Sequence, residues 1–193
     1  MSRPKTIVLT GGPGAGKTVV TTALLARHPD RLVLVPEAAT AVYLKLDTRW
    51  DRLDTDGRRR VQTLMYEHQL DQEARYAADH PGKILLLDRG TIDGAAYWPD
   101  GADQFWPAVK TTLPDELARY DAVLWLETAA ALGIYDGAAS NVVRFEDASA
   151  AVDSGRRLLD LWQPHPHLHH VGAFARVEDK VAAVVEIVDA LLT

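Results

Sequence analysis

The stretch TIVLTGGPGAGKTVV, residues 6–20, joins an apolar run to a glycine cluster that ends in a lysine and a threonine. It satisfies the pattern G-x-x-x-x-G-K-[ST] with Gly11, Gly16, Lys17 and Thr18. The pattern requires a strand before it and a helix after it, and the flanking residues favour both. Glycines let the backbone approach phosphate oxygens closely, and loop amides and the helix N-terminus then face the anion. The stretch therefore predicts a nucleotide phosphate site.

Two side chains of this loop have predicted chemical roles. Lys17 can reach the β- and γ-phosphates as a mobile cation, and the Thr18 hydroxyl is placed to bind Mg²⁺. The expected cofactors are ATP, with GTP as the alternative, and Mg²⁺. The predicted nucleotide-binding residues are Gly11, Gly12, Pro13, Gly14, Ala15, Gly16, Lys17, Thr18 and Val19.

Length and composition narrow the class of protein. A chain of 193 residues is long enough for one α/β domain, so we expect a single domain over residues 1–193. It has no apolar segment long enough to span a bilayer, no secretory h-region and no cysteine, so we expect a cytoplasmic protein without a membrane partner. The net charge of -6 argues against a dedicated nucleic-acid binder. The sequence leaves the oligomeric state open.

Apolar runs alternate with helical patterns along the chain. The nearly all-apolar strands suit a parallel sheet covered on both faces, with helices as crossovers. We predict a three-layer α/β P-loop NTPase fold with five parallel strands in the kinase-like order 2-3-1-4-5. The predicted strands are 6–10, 32–36, 83–87, 122–126 and 168–171, and the predicted helices are 16–26, 38–46, 56–79, 105–113, 146–161 and 177–192.

Acidic residues follow several of the predicted strands. Asp88 ends the run KILLLD, where it can hold Mg²⁺ directly or through a water molecule. Glu37 follows LVLVP, and Glu127 ends VLWLE, where a role in orienting loops is at least as plausible as chemistry. In the order 2-3-1-4-5, Lys17, Asp88 and Glu37 surround a space about 10 Å across. That space suits a γ-phosphate and an acceptor hydroxyl.

The catalytic base is assigned to one of two carboxylates. Glu37 can orient or deprotonate an attacking hydroxyl, and Asp88 is its rival; Glu37 could instead complement the N-terminus of the next helix. Arg89 follows Asp88, and its planar guanidinium suits bidentate contact with phosphate or an acidic acceptor, or an ion pair with a neighbouring carboxylate.

Several motifs together resemble a known family. The motifs that carry the resemblance are TGGPGAGKT, VPEA (35–38), LLDRGTIDG (86–94), and the later VRFED, RRLLDLW and HPH. The chain resembles the small P-loop ATPase family labelled AAA-like. That family is grouped with the kinase domain of nicotinamide riboside kinases and with a GTP-binding domain of an insect translocation protein. The resemblance implies a nucleoside-kinase-like core, with Glu37 as the acid after strand two and Asp88 and Arg89 as the pair after strand three.

A lid and an acceptor pocket complete the predicted site. In P-loop kinases the segment between strands four and five closes over the phosphates, so we expect a lid-like segment at about residues 133–162. Arg144 is its first candidate cation on family grounds, before Arg156 and Arg157. The acceptor pocket is expected to be lined by Tyr66, Gln69, Tyr97 and Trp98.

Two functions of different class share these residues. The first is a Mg²⁺-dependent kinase that moves the γ-phosphate of ATP or GTP to a hydroxyl of a small nucleoside-like or other metabolite, with Lys17, Glu37, Asp88, Arg89 and Arg144 as catalytic residues. The second is a regulatory NTPase or switch that acts on a protein partner. A walled, apolar cavity beside Glu37 would favour the kinase, because a switch needs no acceptor site.

Overall fold

One parallel β-sheet organises the computed structural model, which describes residues 5–133 and 148–193. Its strands stand in the order β2-β3-β1-β4-β5, as predicted. The ranges of the strands are β1 Thr6–Thr10, β2 Leu32–Val35, β3 Ile84–Asp88, β4 Ala122–Leu126 and β5 Leu168–Val171.

Helices connect the strands and cover the sheet on both sides, which confirms the three-layer P-loop NTPase fold. Short 3₁₀ segments occupy Trp50–Arg52, Thr91–Tyr97 and Ala129–Leu132. The helices of the described residues are α1 Lys17–Arg27, α2 Ala38–Leu46, α3 Thr55–Asp79, α4 Ala102–Val109, α5 Leu113–Leu117, α6 Ala148–Trp162 and α7 Val177–Leu192.

The core lies on both faces of the central strand β1, which is buried along its whole length. Ile7 and Leu9 belong to a cluster that contains buried residues of α1 and α7. Val8 points to the other face, where Trp162 of α6 and part of α3 pack against the sheet. Successive side chains of a strand alternate between faces, so an unbroken apolar run is what a strand covered on both sides requires.

The strand order fixes where the polar strand ends lie. β1 stands between β3 and β4, and Leu9 of β1 pairs with Asp88 of β3. Val35 of β2 pairs with Leu87 of β3. The carboxyl ends of β2, β3 and β1 are therefore neighbours at the edge of the sheet where the glycine loop begins.

One predicted helix is wrong. The pattern predicts a helix over 105–113, but the structure has two helices, α4 and α5, separated by a break at residues 110–112. Lys110 takes a left-handed conformation with φ 59°, which ends α4. Thr112 then accepts a hydrogen bond from the Asp115 amide at 3.3 Å and so caps α5. Helix propensity and apolar spacing do not reveal that one helix ends before Lys110 and that a second begins after Thr112.

Helix length and polarity also bear on membrane contact. In the described ranges, no helix combines the length and the apolar composition that crossing a bilayer requires.

Two leucines test the packing of the sheet. Leu9 is fully buried, whereas Leu44 is 77% exposed on α2. We expect Leu9→Ala to lower the free energy of unfolding by about 2–5 kcal/mol, because it removes buried apolar contacts and leaves a cavity. Leu44→Ala is the matched control and should change it by less than about 0.5 kcal/mol. Urea denaturation of both variants measures this, and equal losses would contradict the assigned core.

Candidate functional site

The glycine loop spans the turn between β1 and α1. Gly11 has φ 143°, and a Cβ built on it would lie 2.3 Å from the carbonyl oxygen of Leu126. Gly16 has φ 83°, directly before α1. Only glycine fits the first position without displacing β4, and the second conformation is one that side chains rarely adopt. The loop thus owes its tight path to the glycines that the sequence pattern singles out.

Lys17 and Thr18 lie in the first turn of α1. The Nζ atom of Lys17 donates a hydrogen bond to the Gly11 carbonyl at 3.0 Å and lies 3.5 Å from the Gly12 carbonyl oxygen. The ammonium group is therefore folded back over the loop, and Thr18 is exposed beside it. A cation, a hydroxyl and a helix N-terminus at one tight loop fit the phosphates of a nucleotide.

Helix α6 packs directly on this loop. A Cβ on Gly12 would lie 2.6 Å from the Ala151 carbonyl oxygen and 3.2 Å from the Gly155 nitrogen. Residues 148–162, the described part of the segment predicted to be lid-like, thus form a helix against the phosphate loop. Arg156 and Arg157 of this helix are exposed, and Arg157 donates to the Ala96 carbonyl at 3.2 Å. Arg144 lies outside the described residues, so its role stays a prediction.

Asp88 and Arg89 mark the end of β3. Asp88 is the last residue of the strand and is half-buried. Arg89 has φ 76°, an unfavourable conformation for a residue with a side chain, and its amide donates to the Leu9 carbonyl at 2.9 Å. The bend turns the chain out of the sheet and carries the Arg89 side chain to the pocket beside α2. Backbone strain of this kind is held in place by the contacts around it.

Arg89 is buried between two carboxylates. Its Nε donates to Glu37 at 2.6 Å and its Nη1 to Asp93 at 2.9 Å. Burial opposes its charge, but the Tyr97 phenol and the carboxylates of Glu37 and Asp93 outweigh that effect, so its pKa lies well above the usual value. Arg89 is therefore a permanent cation that fixes Glu37.

Asp93 connects this ion pair to the phosphate loop. Its Oδ2 also accepts from the Thr10 hydroxyl at 2.8 Å, and its Oδ1 accepts from the Trp162 indole at 2.7 Å. Thr10 is the last residue of β1 and precedes Gly11. A continuous chain of contacts thus runs from Glu37 through Arg89 and Asp93 to the residue at which the loop begins.

A pocket opens beside this chain of contacts, between α2, α3 and the Thr91–Tyr97 segment. Its volume is about 750 Å³, including space open to solvent. The lining is largely aromatic and apolar, with a few polar groups, as small-molecule sites usually are. The lining residues are Glu37, Ala38, Ala39, Tyr43, Trp50, Gln62, Met65, Tyr66, Gln69, Arg89, Gly90, Thr91, Asp93, Gly94 and Tyr97.

The predicted pocket residues are mostly, but not all, in place. Tyr66, Gln69 and Tyr97 line the pocket. Trp98 was expected there and does not line it, because it packs against Phe105 in a separate cluster with the ring centroids 5.4 Å apart. Tyr97 ends the 3₁₀ segment, whereas Trp98 follows it with an extended backbone, so the two side chains point in different directions, which apolar spacing alone does not show.

The polar groups of the Tyr66 and Gln69 side chains form hydrogen bonds with other residues of the protein. The Tyr66 hydroxyl donates to Glu116 at 2.8 Å, and burial followed by this contact raises its pKa to about 12. The Gln69 Nε2 donates to Glu73 at 3.0 Å and lies 3.3 Å from the Arg89 carbonyl oxygen. Tyr66 therefore presents a neutral ring to the pocket, and its hydroxyl is held by Glu116.

The predicted catalytic and metal-binding residues that the structure describes divide into two groups. Glu37 and Arg89 meet and line the pocket, whereas Lys17, Thr18 and Asp88 lie at the loop and at the end of β3 and are not among the pocket-lining residues. Within residues 5–133 and 148–193, this site included, no group of three His, Asp or Glu side chains is arranged to bind a metal ion. The site thus has a phosphate side and a pocket side, joined by Asp93.

Sequence reasoning missed two residues of this arrangement. Asp93 stands four residues after Arg89, the spacing at which an acid pairs with an arginine on a helical turn, but no regular helix pattern marked that segment. Lys180 lies in the predicted last helix, on the buried face it shares with Val184, Val188 and Leu192 at intervals of four. The sequence signal that could have identified Lys180 is a lysine at a position of the apolar face of the helix.

A phosphate loop between β1 and α1 of a parallel sheet in the order 2-3-1-4-5 defines a P-loop NTPase fold. A family model described as "AAA domain" matches residues 6–180. The chain belongs to this family, and the resemblance seen in its motifs is confirmed. The curated proteins gave no significant match.

Solved structures support the fold. Two structures of NadR protein, one described as a complex with NAD and AMP-PNP and the other as a complex with NR, each align with a TM-score of 0.61 at 19% identity. Each alignment covers 95% of this chain and 49% of the NadR chain, so the present chain spans about half the length of these relatives. The likeness shows a shared architecture for the part compared.

Asp93→Asn tests the buried ion pair. Asparagine keeps the shape but leaves the Arg89 charge with one anionic partner, so we expect the free energy of unfolding to fall by about 3–5 kcal/mol. Asp100→Asn is the matched control, because Asp100 pairs with Arg59 on the surface, where the loss should be small. Urea denaturation compares the two. If Asp93→Asn were as stable as Asp100→Asn, the pair would not constrain the site.

Proposed function

We propose that the chain is a Mg²⁺-dependent kinase that moves the γ-phosphate of ATP, or of GTP, to a hydroxyl of a small, nucleoside-like acceptor. One observation carries this proposal: Glu37, paired with Arg89 at 2.6 Å, faces a walled aromatic pocket that Asp93 and Thr10 connect to the phosphate loop. A nucleotide in the loop and a metabolite in the pocket would lie on either side of this chain of contacts. A cytoplasmic location, where ATP is supplied, is part of the proposal.

The pocket has the character of an acceptor site. Tyr43, Trp50, Tyr66 and Tyr97 supply ring surfaces that suit a planar ligand. Arg89 Nη2 and the Tyr97 hydroxyl are buried there, and neither has a hydrogen-bond partner among the described residues. Buried polar atoms usually find a partner, and a guanidinium nitrogen can only donate. The acceptor we infer is a ring-bearing molecule with oxygen atoms directed to Arg89.

Glu37 is the proposed base. It would take the proton of the acceptor hydroxyl as that oxygen forms a bond to the γ-phosphorus. The bond between the γ-phosphorus and the oxygen that bridges it to the β-phosphate then breaks, and the nucleoside diphosphate leaves. Arg89 holds one carboxylate oxygen of Glu37, while the other lies 3.3 Å from the Thr40 hydroxyl. This pairing sets the orientation of Glu37 before an acceptor arrives.

The phosphate side has its own proposed roles. Lys17 would bind the β- and γ-phosphates and stabilise the charge that develops on the transferred group. Thr18 and Asp88 would hold Mg²⁺, which would neutralise phosphate charge when bound. Arg144 would add a further cation from the lid-like segment. One NadR structure is described as containing NAD and AMP-PNP and the other as containing NR, and the proposal extends to this chain a nucleotide and a second small molecule as ligands.

Glu37→Gln tests the base. Glutamine can still accept from Arg89 but cannot take a proton at neutral pH, so we expect acceptor-dependent turnover to fall by about 10² or more while ATP affinity is nearly unchanged. Glu67→Gln, an exposed change on α3, is the control and should leave turnover intact. The assay follows ADP release in a screen of nucleosides, vitamins and hydroxylated antibiotics.

Two results would contradict parts of this proposal. Full turnover in Glu37→Gln would remove Glu37 as the base. If no acceptor stimulated ADP release and a protein partner bound only the nucleotide-loaded chain, the regulatory NTPase alternative would replace the kinase.

A further inference from the structure

Lys180 occupies a position where a lysine is unexpected. It lies on the face of α7 that also carries Val184, Val188 and Leu192, and it is only 4% exposed. Fully buried lysines are rare because removing the ammonium from water is costly. Burial lowers the pKa of Lys180, and the nearby Glu127 only partly offsets this. Such a residue needs strong local partners.

Its partners are two main-chain carbonyl groups. The Nζ atom donates to the Ala15 carbonyl of the phosphate loop at 3.1 Å and to the Glu127 carbonyl after β4 at 2.6 Å. The Glu127 side chain in turn accepts from the Ala173 amide at 3.0 Å. Lys180 thus ties the loop directly to the segment that follows β4 and, through Glu127, to the segment that follows β5.

Thr128 makes a second contact of the same kind. Its buried hydroxyl donates to the Pro13 carbonyl at 2.8 Å. The peptide bonds of the described residues are trans, and in a planar trans peptide the C=O and N–H groups point in opposite directions. Because Lys180 holds the Ala15 carbonyl and Thr128 holds the Pro13 carbonyl, the Gly16 and Gly14 amides of the same peptide units point away from those two side chains.

We propose that Lys180 and Thr128 are positioning residues of the nucleotide site, which orient the Gly16 and Gly14 amides toward the phosphates without touching the nucleotide. Preorganised amides bind an anion better than amides that must first be turned, because the cost of ordering them has been met in folding. The inference rests on the nucleotide binding within the proposed function and does not depend on the acceptor.

The test compares Lys180→Met with a matched control. Methionine retains much of the apolar stem but cannot donate, so we expect affinity for MgATP, measured by calorimetry, to fall about tenfold or more. Lys83→Met is the control, because Lys83 also donates to a main-chain carbonyl, that of Pro29 at 2.8 Å, away from the loop. The control should leave MgATP affinity unchanged.

Amide spectra separate positioning from a general loss of structure. In two-dimensional ¹H–¹⁵N spectra, MgATP should shift the Gly14 and Gly16 amides of the unchanged protein downfield. Lys180→Met should lose the Gly16 shift and keep that of Gly14, and Thr128→Val should show the reverse. Thr128→Val also keeps the test available if Lys180→Met fails to fold.

Three outcomes would overturn the inference or its basis. Unchanged MgATP affinity and unchanged amide shifts in Lys180→Met and Thr128→Val would refute the positioning role. An equal loss of affinity in Lys83→Met would refute it as well, because the effect would not be local. Failure of the unchanged protein to bind MgATP would instead contradict the nucleotide site itself.

Discussion

The buried guanidinium of Arg89 is the constraint around which the site is arranged. A charge in that position must be paired, and Glu37 and Asp93 pair it at 2.6 and 2.9 Å. Those partners come from the end of β2 and from the turn after β3, and Asp93 is itself held by Thr10 of β1 and Trp162 of α6. The two ion pairs of Arg89 and the two hydrogen bonds of Asp93 thus fix three strand ends and a helix relative to one another.

The two sides of the site are built by different physical means. On the pocket side, a strained Arg89 backbone and buried ion pairs hold Glu37 against an aromatic wall. On the phosphate side, glycines allow a tight turn, and the lysine side chains of residues 17 and 180 contact its carbonyl groups. Lys17 is half-buried at the first turn of α1, whereas Lys180 is buried beneath the loop. In our proposals the first binds phosphate and the second shapes the loop.

The sequence predicted the features that depend on local pattern. Unbroken apolar runs gave the strands, and the glycine motif placed Lys17 and Thr18 at the start of α1. What it could not predict depends on contacts between distant segments. Asp93 accepts hydrogen bonds from residues 83 positions before it and 69 positions after it. Trp98 and Tyr97 are adjacent, yet only Tyr97 lines the pocket, because Tyr97 ends the 3₁₀ segment and Trp98 follows it with an extended backbone.

The most direct measurement of the central claim is a calorimetric titration of MgATP and MgGTP into the unchanged chain and into Lys17→Ala. The account predicts saturable binding of at least one triphosphate to a single site. It also predicts that affinity falls about 30-fold or more in the variant, because a charged contact with phosphate is lost. Absence of binding of either nucleotide to the unchanged chain, or equal affinity in both proteins, would contradict it.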